Sequence, residues 1–487
     1  MRRSFLSNLF FLLFINFLVK PFWILGIDRT VQNAAGPEDY GIYFSLFNFT
    51  ILFQVLLDFG INNFNNRHIA RYPERLHAYL STMLSSKLLF ALVYAVVVWA
   101  VAFGIGLDGT RLGLLALLMV NQVLMSFLTY LRSNISALQL FRTDALLSVM
   151  DKLLTSAFCA VVLWTDWLPL EMSITLFVLA QIGGYGLTCI LAWILMPIGK
   201  WDTWSKLPDR TLLQDVVKQS APFALLTFLM ATYYRIDGVM LERLLKADGP
   251  MQAGIYASAF RILDALNIIG YLFAAILLPS FSRLLEKKLP VQSIFDSGLK
   301  TILTISLPAA TVLFAFRNPI MSLLYTDANS SYGAVFGLLM AGFVPASLAY
   351  IYGTFLTAGG ALRQLNWIAV GGVVLNIALN LLLIPRYQAY GAAIATLATQ
   401  GLVTLLQATI VYRSGQIHFT GDIAWRLLAY LIISVGIARI MSEWLPFPWF
   451  ISMLTAIAVV VAGALILKLV SLKEWKDASL LEESGSR

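Results

Sequence analysis

Fourteen apolar runs of about 20 residues, separated by short polar connections, leave this chain very few ways to fold. They are centred near residues 16, 53, 92, 124, 155, 183, 232, 267, 312, 344, 375, 401, 433 and 460. A run of that length crosses the hydrocarbon of a bilayer as an α-helix, in which each backbone N–H and C=O finds its partner within the segment. Composition agrees. Only 12% of residues are charged and 59% are hydrophobic, whereas a soluble domain carries roughly 25% charged residues. So little polar surface cannot cover a water-exposed body. The expected fold class is all-α: a polytopic membrane protein with about 14 transmembrane helices. The longest polar connections, around 67–80, 200–218 and 283–300, leave no room for a soluble domain.

The first run opens like a signal peptide, with Arg2 and Arg3 before apolar residues. It continues past Lys20-Pro21 without a small-residue cleavage site, and so reads as an uncleaved first span. The net charge of +8 does not indicate a nucleic-acid partner, because the basic residues sit in short connections between apolar runs. With the N-terminus inside, 22 Lys and Arg fall in inner connections and tails, Lys152 among them, and 4 in outer ones, namely Arg29, Arg111, Lys246 and Arg386. That asymmetry places both termini in the cytoplasm.

A repeat organises the spans. "AGPEDYGIYFSLFNF" at 35–49 is echoed by "DGPMQAGIYASAFRI" at 248–262, with Gly36-Pro37, Gly41-Ile42-Tyr43, Ser45 and Phe47 matching Gly249-Pro250, Gly254-Ile255-Tyr256, Ser258 and Phe260. Both copies precede an even-numbered span on the outer side, with six spans between them. The chain therefore reads as two parallel six-helix lobes, related by a pseudo-two-fold axis along the membrane normal, plus two C-terminal helices. The expected division is 1–218 for the first lobe (spans 1–6) and 219–414 for the second (spans 7–12). Residues 415–470 carry spans 13 and 14, and 471–487 form a cytoplasmic tail. In this reading Gly and Pro of the repeat supply the tight outer turn.

Five stretches resemble the multidrug/oligosaccharidyl-lipid/polysaccharide exporter superfamily, and within it the Wzx-type polysaccharide-biosynthesis flippases. They are "GPEDYGIY", "LLDFGINNFNNRHIA" at 56–70, "YYRIDGVML" at 233–241, "LPSFSRLL" at 278–285 and "LNIALNLLLIPRYQAYGAAIATLATQ" at 375–400. The last resembles the hairpin of spans 11 and 12. The resemblance implies movement of undecaprenyl-diphosphate-linked glycans from the inner to the outer leaflet of a bacterial inner membrane. The product would be O-antigen, capsule or exopolysaccharide. It also implies that spans 13 and 14 shape a groove for the polyprenyl tail. Implied partners are the lipid-linked glycan, membrane lipids and polysaccharide polymerase machinery. No cofactor is implied, and H⁺ or Na⁺ coupling is left open.

Such a substrate sets a physical problem, because a diphosphate and a hydroxyl-rich glycan cannot cross hydrocarbon unpaired. Ionisable residues inside spans are then informative, each costing roughly 2.5–3.5 kcal/mol or more when left facing lipid. The candidate cavity cations are Lys20, Arg29, Arg132, Arg235 and Arg261. Lys20, beside Pro21 in mid-span, has the alternative of snorkelling to an interface, and Arg29 that of an interfacial anchor. Arg235 and Asp237 point about 200° apart on one helix and need separate partners. Arg261 and Asp264 share a face and can neutralise each other. Asp58, Asp237 and Asp264 are the candidate coupling or pairing acids, with Lys20 as a partner for Asp58. Asn62, Asn63, Asn65 and Asn66 are candidates for hydrogen bonds to sugar hydroxyls, or simply a polar helix end. Arg317 is a further candidate, with a place near the outer surface as its alternative, and Arg439 reads as a charge shielded by helix contacts.

Other chemistry finds little support. Cys159 and Cys189 lie in apolar runs, and His68, His77 and His418 lack ligand spacing. No Walker loop, His-Glu-x-x-His helix or dinucleotide fingerprint occurs, and the interfacial tryptophans read as belt residues. An antiporter of cationic drugs would want a net acidic cavity, whereas cations outnumber acids within these spans. A glycan polymerase or ligase would want a sizeable outer loop, and none is present.

Overall fold

The computed structural model describes residues 15–16, 18–59, 61–62, 76–196, 210–418, 421–444 and 447–469. Among them every regular element is helical, as the apolar runs require. A π-helical segment, Phe22–Asp28, runs into α1 (Arg29–Ala35). Next come α2 (Pro37–Leu52), a 3₁₀ turn at Gln54–Leu57, α3 (Leu76–Gly104), α4 (Gly109–Ala137), α5 (Phe141–Trp164), α6 (Ile174–Leu195) and α7 (Arg210–Leu244). They are followed by α8 (Gly249–Glu286), α9 (Gln292–Ala315), α10 (Arg317–Leu324), α11 (Ser330–Ala358), α12 (Leu362–Arg413), α13 (Gly421–Glu443) and α14 (Trp449–Ile466).

Eleven of these helices are long and apolar enough to cross a membrane. Helix α12 has 52 residues and is broken at Gln388 (φ 54°, ψ −135°), so it supplies the two spans centred near 375 and 401. The two earliest expected spans are not continuous α-helices. Span 1 contains the π segment after Pro21, and span 2 ends as α-helix at Leu52 before tightening into the 3₁₀ turn. Interrupted helices inside membranes survive only where neighbouring groups satisfy the freed backbone.

Local sequence sets the ends. Asp108, Ser173 and Asn329 cap α4, α6 and α11 by accepting from the N–H of Arg111, Leu176 and Ser331. Gly36, at φ 82°, breaks the chain between α1 and α2, and Pro37 starts α2. Gln388 takes a backbone conformation that L-residues other than glycine avoid, at a typical cost of 1–3 kcal/mol. Its side chain is exposed, so Gln388→Gly loses no buried contact. The expected result is a rise of a few degrees in the thermal unfolding midpoint of the detergent-purified protein. An unchanged or lower midpoint would mean that the break is not strained.

The described residues form two compact units. One comprises residues up to Glu242 together with Ala247–Gly254, and the other Arg243–Lys246 with Ile255 onwards. The first of these units runs through 218 to the end of α7, and three contacts hold α7 to it. Arg111 pairs with Glu242 at 2.8 Å, Arg235 Nη1 donates to Asn48 Oδ1 at 3.4 Å, and Gly238 lets α7 approach Phe44 and Asn48 of α2.

Within the first unit an apolar cluster joins α3–α6 through Met83, Phe90, Leu128, Tyr130, Leu147 and Tyr185. Polar groups bind it further. Asn121 Nδ2 donates to Gln181 Oε1 at 2.9 Å, and Gln181 Nε2 donates to Tyr43 Oη at 3.2 Å. Gly184 brings α6 onto the Asp151 carbonyl of α5, the close approach that small residues allow in membranes. The second unit has its own aromatic core of Phe281, Phe295, Tyr352 and Phe355. Tyr256 and Thr396 hydroxyls meet at 2.9 Å there, and Tyr325 donates to the Ser258 carbonyl at 3.1 Å. Large apolar side chains such as Leu92, Val96, Leu382, Leu454 and Ile466 are instead exposed, as the lipid-facing sides of spans must be.

The repeat gains a geometric role within the first unit. A Cβ on Gly41 would overlap the Pro250 carbonyl oxygen and lie 2.7 Å from Gly254 N. A Cβ on Gly254 would overlap the Pro37 carbonyl oxygen in return. Gln32 Nε2 donates to the Gly254 carbonyl at 3.0 Å across the same crossing. Gly41 and Gly254 are thus contact points between the two copies rather than turn residues, while Gly36 does serve the turn.

Candidate functional site

The membrane-embedded charges of the first unit fall into three groups, each built on a local feature of the chain. The first surrounds the broken end of span 2. Where α2 stops, the Leu57 carbonyl loses its helical partner, and Phe59 takes a positive φ of 40°. Lys87 of α3 meets this end. Its Nζ donates to Asp58 Oδ1 at 2.8 Å, to the Leu57 carbonyl at 3.0 Å and to Ser126 Oγ at 3.0 Å. Lys87 is 1% exposed and Asp58 30%. The expected Asp58–Lys20 pairing is thus replaced by Asp58–Lys87, because the unwound turn directs Asp58 at α3. Asn62 is half-buried and its backbone N–H donates to Asp58 Oδ1 at 3.3 Å. Asn63, Asn65 and Asn66 lie outside the described residues.

The second group gathers around span 1. Lys20 is half-buried and makes no hydrogen bond or ion pair among the described residues, while lying within electrostatic reach of Arg132, Asp151 and Lys152. Arg132, near the end of α4, donates from Nε to Asp144 Oδ1 at 2.8 Å. Lys152, counted from the sequence with the inner connections, is instead in the body of α5. Its Nζ donates to Tyr185 Oη at 3.1 Å, lies 3.4 Å from Asp151 Oδ2, and sits over the rings of Trp23 (4.7 Å) and Tyr185 (5.0 Å). Asn16 Nδ2 donates to Ser148 Oγ at 2.8 Å, tying span 1 to α5 one turn away. The π segment places Trp23 on this face, stacked 5.7 Å from Phe177.

The third group lies along α1, α2 and α7. Arg29 is half-buried and reaches Thr30 Oγ1 at 3.3 Å, with its Nε buried and unbonded among the described residues. Asp28 is buried and accepts from Tyr40 Oη at 2.8 Å. Arg235 combines its bond to Asn48 with a place 5.3 Å from the Tyr234 ring, and Asp237 is fully buried. In the second unit Arg261 and Asp264 are half-buried on α8. Arg317 sits at the start of α10 over Phe314 at 4.7 Å and donates to the Phe314 carbonyl at 3.1 Å. Arg439 is 75% exposed and pairs with Glu443 at 3.3 Å, so it is not shielded by helix packing. Cys159 and Cys189 are both free thiols.

Of the expected residues, the structure therefore brings Lys20 and Arg132 into one neighbourhood and gives Asp58 a different partner. Sequence reading missed Lys87 and Lys152. The signal for Lys87 was its position well inside an apolar run. For Lys152 it was the i, i+8 spacing of Asp144 and Lys152 on what is one helix.

An all-helical body with charged side chains set inside its spans defines a multi-pass membrane transport protein. Residues 5–285, more than half of the chain, match the family described as polysaccharide biosynthesis protein, and residues 209–460 match the family described as lipid II flippase MurJ. The chain belongs to the polysaccharide biosynthesis protein family, within the multidrug/oligosaccharidyl-lipid/polysaccharide exporter superfamily. It is similar to the lipid III flippases of Escherichia coli (strain K12) and Shigella flexneri, each 23% identical over 401 residues, covering 78% of this chain and 92% of the relative. Among solved structures, lipid II flippase MurJ in an inward closed conformation matches with a TM-score of 0.67 at 14% identity, over 93% of this chain and 98% of that one. An inward-facing multidrug resistance MATE family transporter matches with a TM-score of 0.63 at 14% identity, over 81% and 94%. At these identities the two structures speak for the fold.

Proposed function

We propose that this chain is a flippase for a polyprenyl-diphosphate-linked oligosaccharide, moving it from the inner to the outer leaflet by alternating access. The setting is a bacterial inner membrane with both chain ends cytoplasmic, and the purpose is cell-surface polysaccharide synthesis. The observation that carries this reading is Lys20, an ammonium inside a membrane span with no hydrogen bond or ion pair among the described residues, in reach of Arg132 and Lys152 and of one carboxylate, Asp151. An unpartnered cation at membrane depth is costly unless an anion visits it, and a diphosphate is such an anion. Similarity to lipid III flippases over most of both chains supports the same substrate class. The likeness to a MATE transporter concerns the fold, and a site whose cations exceed its acids suits a cationic drug poorly.

In this reading Lys20, Arg132, Arg235 and Arg261 are the candidates for holding the diphosphate, with Arg29 as a further cation. Asp237 and Asp264 remain candidates for H⁺ or Na⁺ coupling, and polysaccharide polymerase machinery would use the product. Lys20→Ala and Arg235→Ala are expected to abolish export in a strain relying on this gene, with lipid-linked glycan accumulating on the inner leaflet. Folded protein, measured as monodisperse material after detergent extraction, should persist. Full export by both variants would refute the cation assignment. Short, unpolymerised units on the outer leaflet of a deletion strain would point to a polymerase instead.

A further inference from the structure

Lys87 and Lys152 both lie in spans of the first unit, and they are held very differently. Lys87 is 1% exposed and places three acceptors within 3.0 Å of Nζ, so each of its N–H groups is used. Lys152 is 22% exposed, and its only carboxylate contact among the described residues is 3.4 Å long, beyond the usual 2.7–2.9 Å of a charged pair. Its one hydrogen bond goes to a neutral phenol at 3.1 Å, and much of its remaining surroundings is two aromatic faces. Cation–π contacts hold an ammonium with about 0.5–2 kcal/mol each and use up none of its donors. Lys152 is thus positioned but not saturated.

Its neighbours have spare capacity as well. Lys20 has no bonded partner, and Arg132 spends one N–H, on Asp144, among the described residues. Among the described residues just named, three cations meet two carboxylates, Asp144 and Asp151, which leaves an excess of positive charge beside the rings of Trp23 and Tyr185.

We propose that Lys152 binds the diphosphate of the substrate and acts as a clasp on span 1. The anion draws the ammonium from Tyr185 and Asp151, and the cation–π contact that holds Trp23 to α5 loosens. Binding is thereby communicated to the π segment Phe22–Asp28, a stretch of span 1 whose hydrogen-bond register is already irregular. The proposal rests on the flippase reading and adds a residue and a linkage to it.

The test uses full-length protein in nanodiscs, with farnesyl diphosphate and inorganic pyrophosphate as probes. Trp23 emission is isolated by subtracting the response of Trp23→Phe. Wild type is expected to bind farnesyl diphosphate with a change in Trp23 emission. Lys152→Met should weaken binding roughly tenfold or more, the loss of one charge-assisted bond, and Lys152→Arg should restore much of it. Tyr185→Phe removes a competing acceptor and should tighten binding, an effect that misfolding would not produce. If Lys152→Met binds like wild type while Lys20→Ala does not, the clasp is wrong and the flippase reading stands. Weaker binding by Tyr185→Phe also overturns the clasp. If wild type binds neither probe, the diphosphate reading itself falls, and the clasp with it.

Discussion

Asp58→Ala is expected to lower the stability of this protein by about 3–5 kcal/mol, the usual consequence of removing one partner from a buried ion pair. The remaining Lys87 ammonium, 1% exposed, would keep only the neutral Leu57 carbonyl and Ser126 hydroxyl. Lys87→Ala should be milder. Asp58 is 30% exposed and regains water, although the Leu57 carbonyl is then left open at the break in span 2. Replacing both partners, as Lys87→Met with Asp58→Leu, should recover most of the loss, because an apolar pair needs no compensating charge. Thermal midpoints followed by tryptophan fluorescence in detergent would report all three. Equal midpoints for Asp58→Ala and the double variant would remove the ion pair from the account. Export gives a second answer: a double variant that folds and exports assigns Asp58 to structure, whereas one that folds without exporting keeps it as a coupling acid.

How far the sequence reaches can be judged from the residues themselves. Span number and helical class are legible because each run of about 20 apolar residues has one stable form in lipid. Lys20 is legible because an ammonium beside Pro21 interrupts such a run. The partner of Asp58 is not, since it depends on α2 ending at Leu52 and the chain tightening into a 3₁₀ turn that no turn residue announces. Lys152 is hidden for another reason. Arg142, Asp144, Asp151 and Lys152 make the first half of α5 look like a connection, when it is a continuous helix with Asp144 and Asp151 on one side and Lys152 next to it. The boundary between units escapes likewise. Helix α7 begins in a polar stretch suited to a linker, but its attachment to the first unit comes from Arg235, Gly238 and Glu242 much further along.

Gly41→Ala or Gly254→Ala is expected to have a larger effect than a methyl added at the described glycines whose space is open. In each case the new Cβ meets the backbone carbonyl of the opposite copy, at Pro250 or Pro37, and backbone cannot turn aside as a side chain does. The start of α8, residues 249–254, would have to move off α2, losing the Gln32–Gly254 hydrogen bond with the contact. An added methyl in a packed core typically costs 1–3 kcal/mol, and a helix-on-helix contact without slack belongs above that range. Gly113→Ala and Gly183→Ala provide the controls. Both positions are helical with nothing within 4 Å of a new Cβ, so each should gain up to about 1 kcal/mol from helix propensity. A Gly41→Ala midpoint equal to that of Gly183→Ala would show that the two copies do not cross here. The double variant Gly41→Ala with Gly254→Ala sharpens the test, because the contact is reciprocal. Once one methyl has forced the helices apart, the second finds room already made. The combined loss should therefore fall well short of the sum of the two single losses, as coupled neighbours require. Additive losses would mean that each glycine serves a separate contact, and that the repeated sequence is not matched by one shared crossing.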